Sequence, residues 1–224
     1  MGQEGRQRDW GALLEALVVF LLIMLYIWWL RLWHAWLWMP LLGAVILTHW
    51  AHRESPRRLG FAAGSFRAAF VPVFLYTAGI CAALLALGST LGTMREMTAA
   101  QAAAGVAGYS AWGLFQQYLL NGYFVNRAVE FTGKPGGQFV PAFAAVLFSL
   151  AHLPNWFLMP VTLAGGYACA QVYLRYRNLY VLALAHGLVG YCLYNIVPDS
   201  VSAHFLVGPR YLLEQYGMYP EHLL

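Results

Sequence analysis

The sequence predicts an all-α fold, a polytopic membrane helix bundle of about seven transmembrane helices, on three observations. Of 224 residues, 61% are hydrophobic and only 10% are charged, where a soluble domain carries about a quarter charged residues. The apolar residues come in long runs, and a chain of this length has room for six to eight runs of the roughly 20 residues that cross a bilayer. Lipid leaves helices or closed barrels as the only structures that satisfy their own backbone, and runs this long are not barrel strands.

Taken in order, the runs place helices near 11–31, 34–50, 67–90, 105–128, 138–153, 155–174 and 178–197. The first two are joined by a tight link containing Arg31 and carry Trp28, Trp29, Trp33, Trp36 and Trp38, a density suited to a membrane interface. Alanines and glycines around 98–108 suggest a flexible entry into the fourth helix. Pro154, Pro160 and the pair Gly165 and Gly166 are expected to bend the sixth. Beyond the seventh, His204, Arg210 and Glu214 favour an interfacial helix over 201–216. The expected organisation is a tail and first helix (1–33), a transmembrane core (34–197) and a carboxyl-terminal tail (198–224).

Glu4, Arg6, Arg8 and Asp9 precede the first run, which has no small-residue cleavage site and reads as a retained anchor. With the amino terminus inside, the inner segments hold Arg6, Arg8, Arg53, Arg57, Arg58, Arg67, Arg127, Lys134, Arg175 and Arg177, and the outer ones only Arg31, Arg95 and Arg210. This bias puts the amino terminus in the cytoplasm, and the expected location is a bacterial inner (plasma) membrane. The positives are scattered between apolar runs, so the net charge of +4 signals topology and membrane lipid, with no nucleic-acid partner. Cys81, Cys169 and Cys192 lie in apolar runs without CxxC spacing and read as small hydrophobic residues.

Polar side chains at membrane depth face the bundle interior, which makes the short list of them informative. The fourth helix carries Gln116, Gln117 and Asn121, the fifth ends in Phe148 and His152, and the seventh carries His186 with Asn195 further on. Gln117 and Asn121 lie one turn apart and can hydrogen-bond each other; Phe148 and His152 also share a face. His186 shares its face with Gly190, and Asn195 points the other way. Glu15, His49, His52 and His204, near helix ends, are expected to be structural or interfacial, and Glu214, Glu221 and His222 to be solvated tail residues. No buried charge pair for ion coupling and no phosphate-binding loop is visible, which leaves a transporter without specific support.

The order of these residues resembles the CAAX-protease and bacteriocin-processing (CPBP or Abi) family of intramembrane peptidases, which includes the prenyl-protein endopeptidase of the Rce1 type. Its pattern is Glu-Glu-x-x-x-Arg, Phe-x-x-x-His and His-x-x-x-Asn on successive helices. Here the second motif is complete at Phe148 and His152, the third has His186 but Gly190 in place of Asn, and the first reads Gln116, Gln117 and Asn121. The basic stretch from Arg53 to Phe61 and the run from Gly165 through Asn178 to His186 are also similar to the family, so the resemblance covers roughly 50–195.

The resemblance implies hydrolysis of peptide bonds near the membrane, with Gln116, Gln117, Asn121, His152 and His186 at catalytic positions and His152 and His186 as ligands of a divalent metal such as zinc. The family's route is metal-dependent or glutamate-based. A glutamine cannot exchange a proton at useful pH, so the general-base role, worth about 10² to 10⁴ in rate, is absent from Gln116. Catalytic zinc takes three strong protein ligands plus water, against two histidines and an amide here. The two carboxylates and the arginine are lost together, which avoids an unpaired buried charge. Two readings stay open: a metalloprotease-like hydrolase using His152 or His186 as base, with a metal or with none; and a pseudo-enzyme that binds a membrane segment, a lipidated peptide or a membrane-anchored partner protein without cutting it.

Overall fold

The structure is a computed structural model that describes residues 8–134 and 137–218, and within them every regular element is helical. Glu4, Arg6, Glu221 and His222 lie outside the described residues. The long helices are α1 (Trp10–Trp33), α2 (Ala35–Ala51), α3 (Phe66–Leu91), α4, α5 (Phe139–Leu150), α6 (Leu158–Tyr176) and α7 (Leu179–Ile196). Helix α4 joins Ala99–Gln117, a π-helical stretch Tyr118–Val125 and Asn126–Thr132 end to end. Among the described residues, α1, the helix containing α3 and α7 are long and apolar enough to cross a membrane, and α2 and α5 are shorter apolar helices.

The helix starts follow local chemistry. Asp9 accepts from the Ala12 amide at 3.1 Å to open α1. Asn178 accepts from the Val181 amide at 3.0 Å to open α7 and donates to the Ala62 carbonyl at 2.7 Å, tying the linker before α3 to the α6–α7 turn. Thr98 and Gln101 form a reciprocal capping box, so the alanine-rich entry to α4 is a regular helix from Ala99 and not the flexible segment its composition suggests.

Helix α7 is central, packing along α4 on one side and α3 on the other, while α5 pairs with α6 and α1 lies against the last turns of α4. Close approach of α4 and α7 depends on small residues. A Cβ at Gly187 would lie 2.6 Å from Ser110 Cα, and one at Gly113 would lie 3.1 Å from the Ala183 carbonyl. Apolar attraction does not distinguish helix from lipid, so such close backbone contact is what holds membrane helices together.

Two further expectations are corrected. Helix α6 runs unbroken from Leu158 to Tyr176, because Pro154 precedes it and Pro160 sits in its first turn, where no amide donor is needed. The segment 201–216 is not one helix: a short turn of helix (Asp199–Ser202) and an irregular stretch precede α8 (Pro209–Tyr216), whose Tyr211 is buried.

A fourth correction concerns charge. Arg127, fully buried on α4, binds Glu15 of α1 (Nε to Oε1, 2.8 Å), Glu54 of the α2–α3 linker (Nη2 to Oε2, 2.8 Å) and Glu130 one turn on (Nη1 to Oε2, 2.5 Å). His49 reaches Glu54 at 2.6 Å, His52 reaches Glu15 at 2.8 Å and Arg58 reaches Glu130 at 2.6 Å. A buried charge cluster therefore exists where none was expected, since Glu15, Glu54 and Arg127 at its centre are distant in sequence and meet only in the fold. Glu15, His49 and His52 are thus structural, within a cluster that ties α1, α2 and the linker to α4. Burial alone would raise the Glu54 carboxyl, but the His49 hydrogen bond and the Arg127 charge more than offset it and hold it below its ordinary value.

Candidate functional site

The signature positions converge where α4, α5 and α7 meet, yet they form two arrangements. The first is a buried chain. Asn121 Nδ2 donates to Gln117 Oε1 at 2.5 Å, and Gln117 Nε2 then faces His186 Nδ1 at 3.1 Å. With the Gln117 oxygen already used by Asn121, its NH₂ group is the donor, so His186 Nδ1 accepts and the ring proton sits on Nε2. Gln117 is 1% and Asn121 0% exposed. Their expected one-turn hydrogen bond is present, and the amides occupy what would be a charged site. Asn121 Oδ1 is buried without a hydrogen-bond partner among the described residues.

The second arrangement faces a cavity of about 710 Å³, within the range of small-molecule sites. Gln116 and His152 line it together with apolar side chains from the second half of α1, the first half of α2 and the Phe205–Val207 stretch. His152 Nδ1 donates to the Phe148 carbonyl one turn back at 2.7 Å, which leaves Nε2 with its lone pair. Phe148 stands between the two histidines, 4.8 Å from the His152 ring centroid and 6.4 Å from that of His186, edge-on to both.

Gln116 therefore sides with His152, and Gln117 with His186; the sequence brings all of them to one region but does not reveal this division. Gly190 explains itself through packing: a Cβ there would be 3.0 Å from Tyr109 Cδ1, so the Tyr109 ring occupies the space an asparagine would fill. Asn195 is not drawn to His186. It lies at the far end of α7, where its carbonyl accepts from the Arg95 amide at 3.1 Å. What sequence reasoning missed is Asn155, which is fully buried and donates to the Ser202 and Leu206 carbonyls at 2.9 Å each, anchoring the stretch that walls the cavity. Its position next to Pro154 gave no such signal.

The donor set does not fit a catalytic zinc. No group of three or more His, Cys, Asp or Glu suited to a metal ion occurs among the described residues. His186 could offer Nε2 only by moving its proton to Nδ1, against the Gln117 amide donor. No carboxylate lines the cavity among the described residues. As it stands, the arrangement is a mostly apolar chamber whose wall also carries Tyr26, Arg31, Gln116 and His152, the last with its Nε2 lone pair available to accept.

Comparison with known proteins gives one match. The family described as Rce1-like, type II CAAX prenyl endopeptidase Rce1-like, matches residues 98–192, from the capping box of α4 to Cys192 on α7. No curated protein and no solved structure matches the chain.

Proposed function

We propose, from the match of residues 98–192 to the Rce1-like family, that the chain is a pseudo-peptidase that binds a lipid-bearing or membrane-anchored peptide segment in the cavity without hydrolysing it. The observation that carries this reading is the Asn121–Gln117–His186 chain, in which the two amides and His186 Nδ1 are used on one another. A general base must accept and release a proton, and neither glutamine does. The cavity suits an apolar tail: its walls are mainly aliphatic and aromatic, while Gln116 and His152 can fix the orientation of a peptide amide.

We further propose that the amino terminus is cytoplasmic, in a bacterial inner membrane, and that the cavity opens on the opposite side. Arg53, Arg57, Arg58, Arg175 and Arg177 gather where α2 and α6 end and α3 and α7 begin, which the positive-inside rule makes the cytoplasmic end. The cavity lies among Arg31, Trp38 and Phe205 at the other end of the same helices.

The test is binding of a fluorescent prenylated peptide to the purified protein. The reading predicts saturable binding that the unprenylated peptide lacks and that a cavity-filling Leu42→Trp substitution weakens. Equal uptake of both peptides, or no effect of Leu42→Trp, contradicts it.

One observation favours hydrolysis as the second reading: His152, with its Nδ1 proton held by the Phe148 carbonyl, presents Nε2 as a base would. It predicts a cleaved product that disappears in a His152→Ala variant.

A further inference from the structure

Away from this cavity, at the arginine-rich end, a second cavity of about 500 Å³ lies between the α2–α3 linker and the end of α6, lined by Arg57, Phe61, Ser65, Tyr176 and Arg177 among others. Its charge is unbalanced. Arg58, next in sequence, is paired with Glu54 and Glu130. Arg57 has no ion pair among the described residues, and Arg177 gives Nη1 to two neutral acceptors, the Arg58 carbonyl at 3.1 Å and Asn126 Oδ1 at 3.3 Å. Two guanidinium groups thus border one cavity with no carboxylate on its wall.

The backbone at Arg177 adds a separate argument. It closes α6 in the left-handed conformation, φ 47 and ψ 52, a position where glycine is the usual residue and a side chain is strained. An arginine retained there keeps its guanidinium at the cavity despite that strain. The remaining wall, Phe61 and Tyr176 with Ala62 and Ala63, is apolar. The cavity lies where α3 and α7 begin and α6 ends, at the edge of the bundle.

We propose that this cavity binds the phosphate of an anionic phospholipid headgroup, with Arg57 and Arg177 as its cationic ligands and the aromatic wall against the glycerol backbone. Guanidinium pairs suit phosphate oxygens, and basic pockets between membrane helices at the cytoplasmic side take anionic headgroups. The site is independent of the peptide-binding reading.

The experiment is native mass spectrometry of the full chain, delipidated and then offered phosphatidylglycerol or phosphatidylcholine in mixed micelles, with excess inorganic phosphate as a separate arm. Wild type is expected to retain phosphatidylglycerol preferentially, and the double variant Arg57→Ala, Arg177→Gly to bind it roughly ten-fold more weakly, each surface arginine being worth a several-fold change. Arg210→Ala, at the opposite end, should bind as wild type does. Glycine suits the left-handed backbone at 177, and Arg57→Ala alone should already give a several-fold loss, so a folding defect in the double variant does not decide the outcome. Equal retention of the two lipids, or full retention by Arg57→Ala, overturns the proposal. Displacement of the lipid by inorganic phosphate overturns the lipid as the source of the anion.

Discussion

At Gln117 one amide determines the state of a histidine. Because its oxygen is held by Asn121, its nitrogen faces His186 and fixes the ring proton on Nε2. Gln117→Glu would present an acceptor in place of that donor, so the His186 proton should move to Nδ1, and nitrogen NMR of histidine-labelled protein should report the change of tautomer. An unchanged His186 signal would show that Gln117 does not set it. Glu54 gives a second residue-scale prediction. Its folded-state pKa is lowered from 4.5, so its ionisation stabilises the fold above about that pH, and this contribution is lost as pH falls through the lower folded value. Glu54→Gln removes one of the three carboxylates on Arg127 but leaves Glu15 and Glu130 in place, so the cost near neutral pH should be that of a lost charged hydrogen bond, about 1.5–3 kcal/mol. The gap to wild type should narrow on acidification in denaturation measured at several pH values. The motif residues were readable from order and spacing. The Arg127 cluster was not, because Glu15, Glu54 and Arg127 are separated by tens of residues and look like ordinary flanking charges.

The helices themselves were legible because each is an apolar run longer than any strand, and their observed starts and ends fall close to those expected except in α4, which already begins at Ala99 and runs on to Thr132. Less legible were features that depend on contact. The bend expected in α6 is absent because Pro160 falls in the first turn, and Gly187 has no sequence signature separating it from Gly165. Contact distinguishes them: a Cβ at Gly187 meets the Ser110 backbone, and one at Gly165 meets nothing within 4 Å. Gly187→Ala should therefore force α4 and α7 apart and cost about 1–3 kcal/mol. Gly165→Ala should be neutral or stabilising by roughly 0.5–1 kcal/mol, since alanine orders a helix better. Thermal unfolding in detergent compares the two, and equal behaviour would contradict the close α4–α7 approach.

Across the whole molecule the two ends differ in chemistry. One carries the Arg127 cluster and Arg57 and Arg177, which make no ion pair among the described residues, the other Trp28, Trp29, Trp33, Trp36, Trp38 and the large cavity. The composition made the membrane setting and the charge bias plain, but only the fold reveals that the cavity and the arginines lie at opposite ends. With the native cysteines replaced, exposed Ser200→Cys should react with a membrane-impermeant maleimide on intact cells, and Arg57→Cys only after the membrane is opened. The reverse pattern would invert the assignment. The central claim, that this site holds a lipidated segment without cutting it, is tested most directly by incubating the purified protein with a prenylated peptide and weighing the bound peptide by mass spectrometry. The account predicts recovery of the peptide at its full mass. A shortened peptide, absent when the enzyme carries His152→Ala, would contradict it and make His152 the base of a working hydrolase.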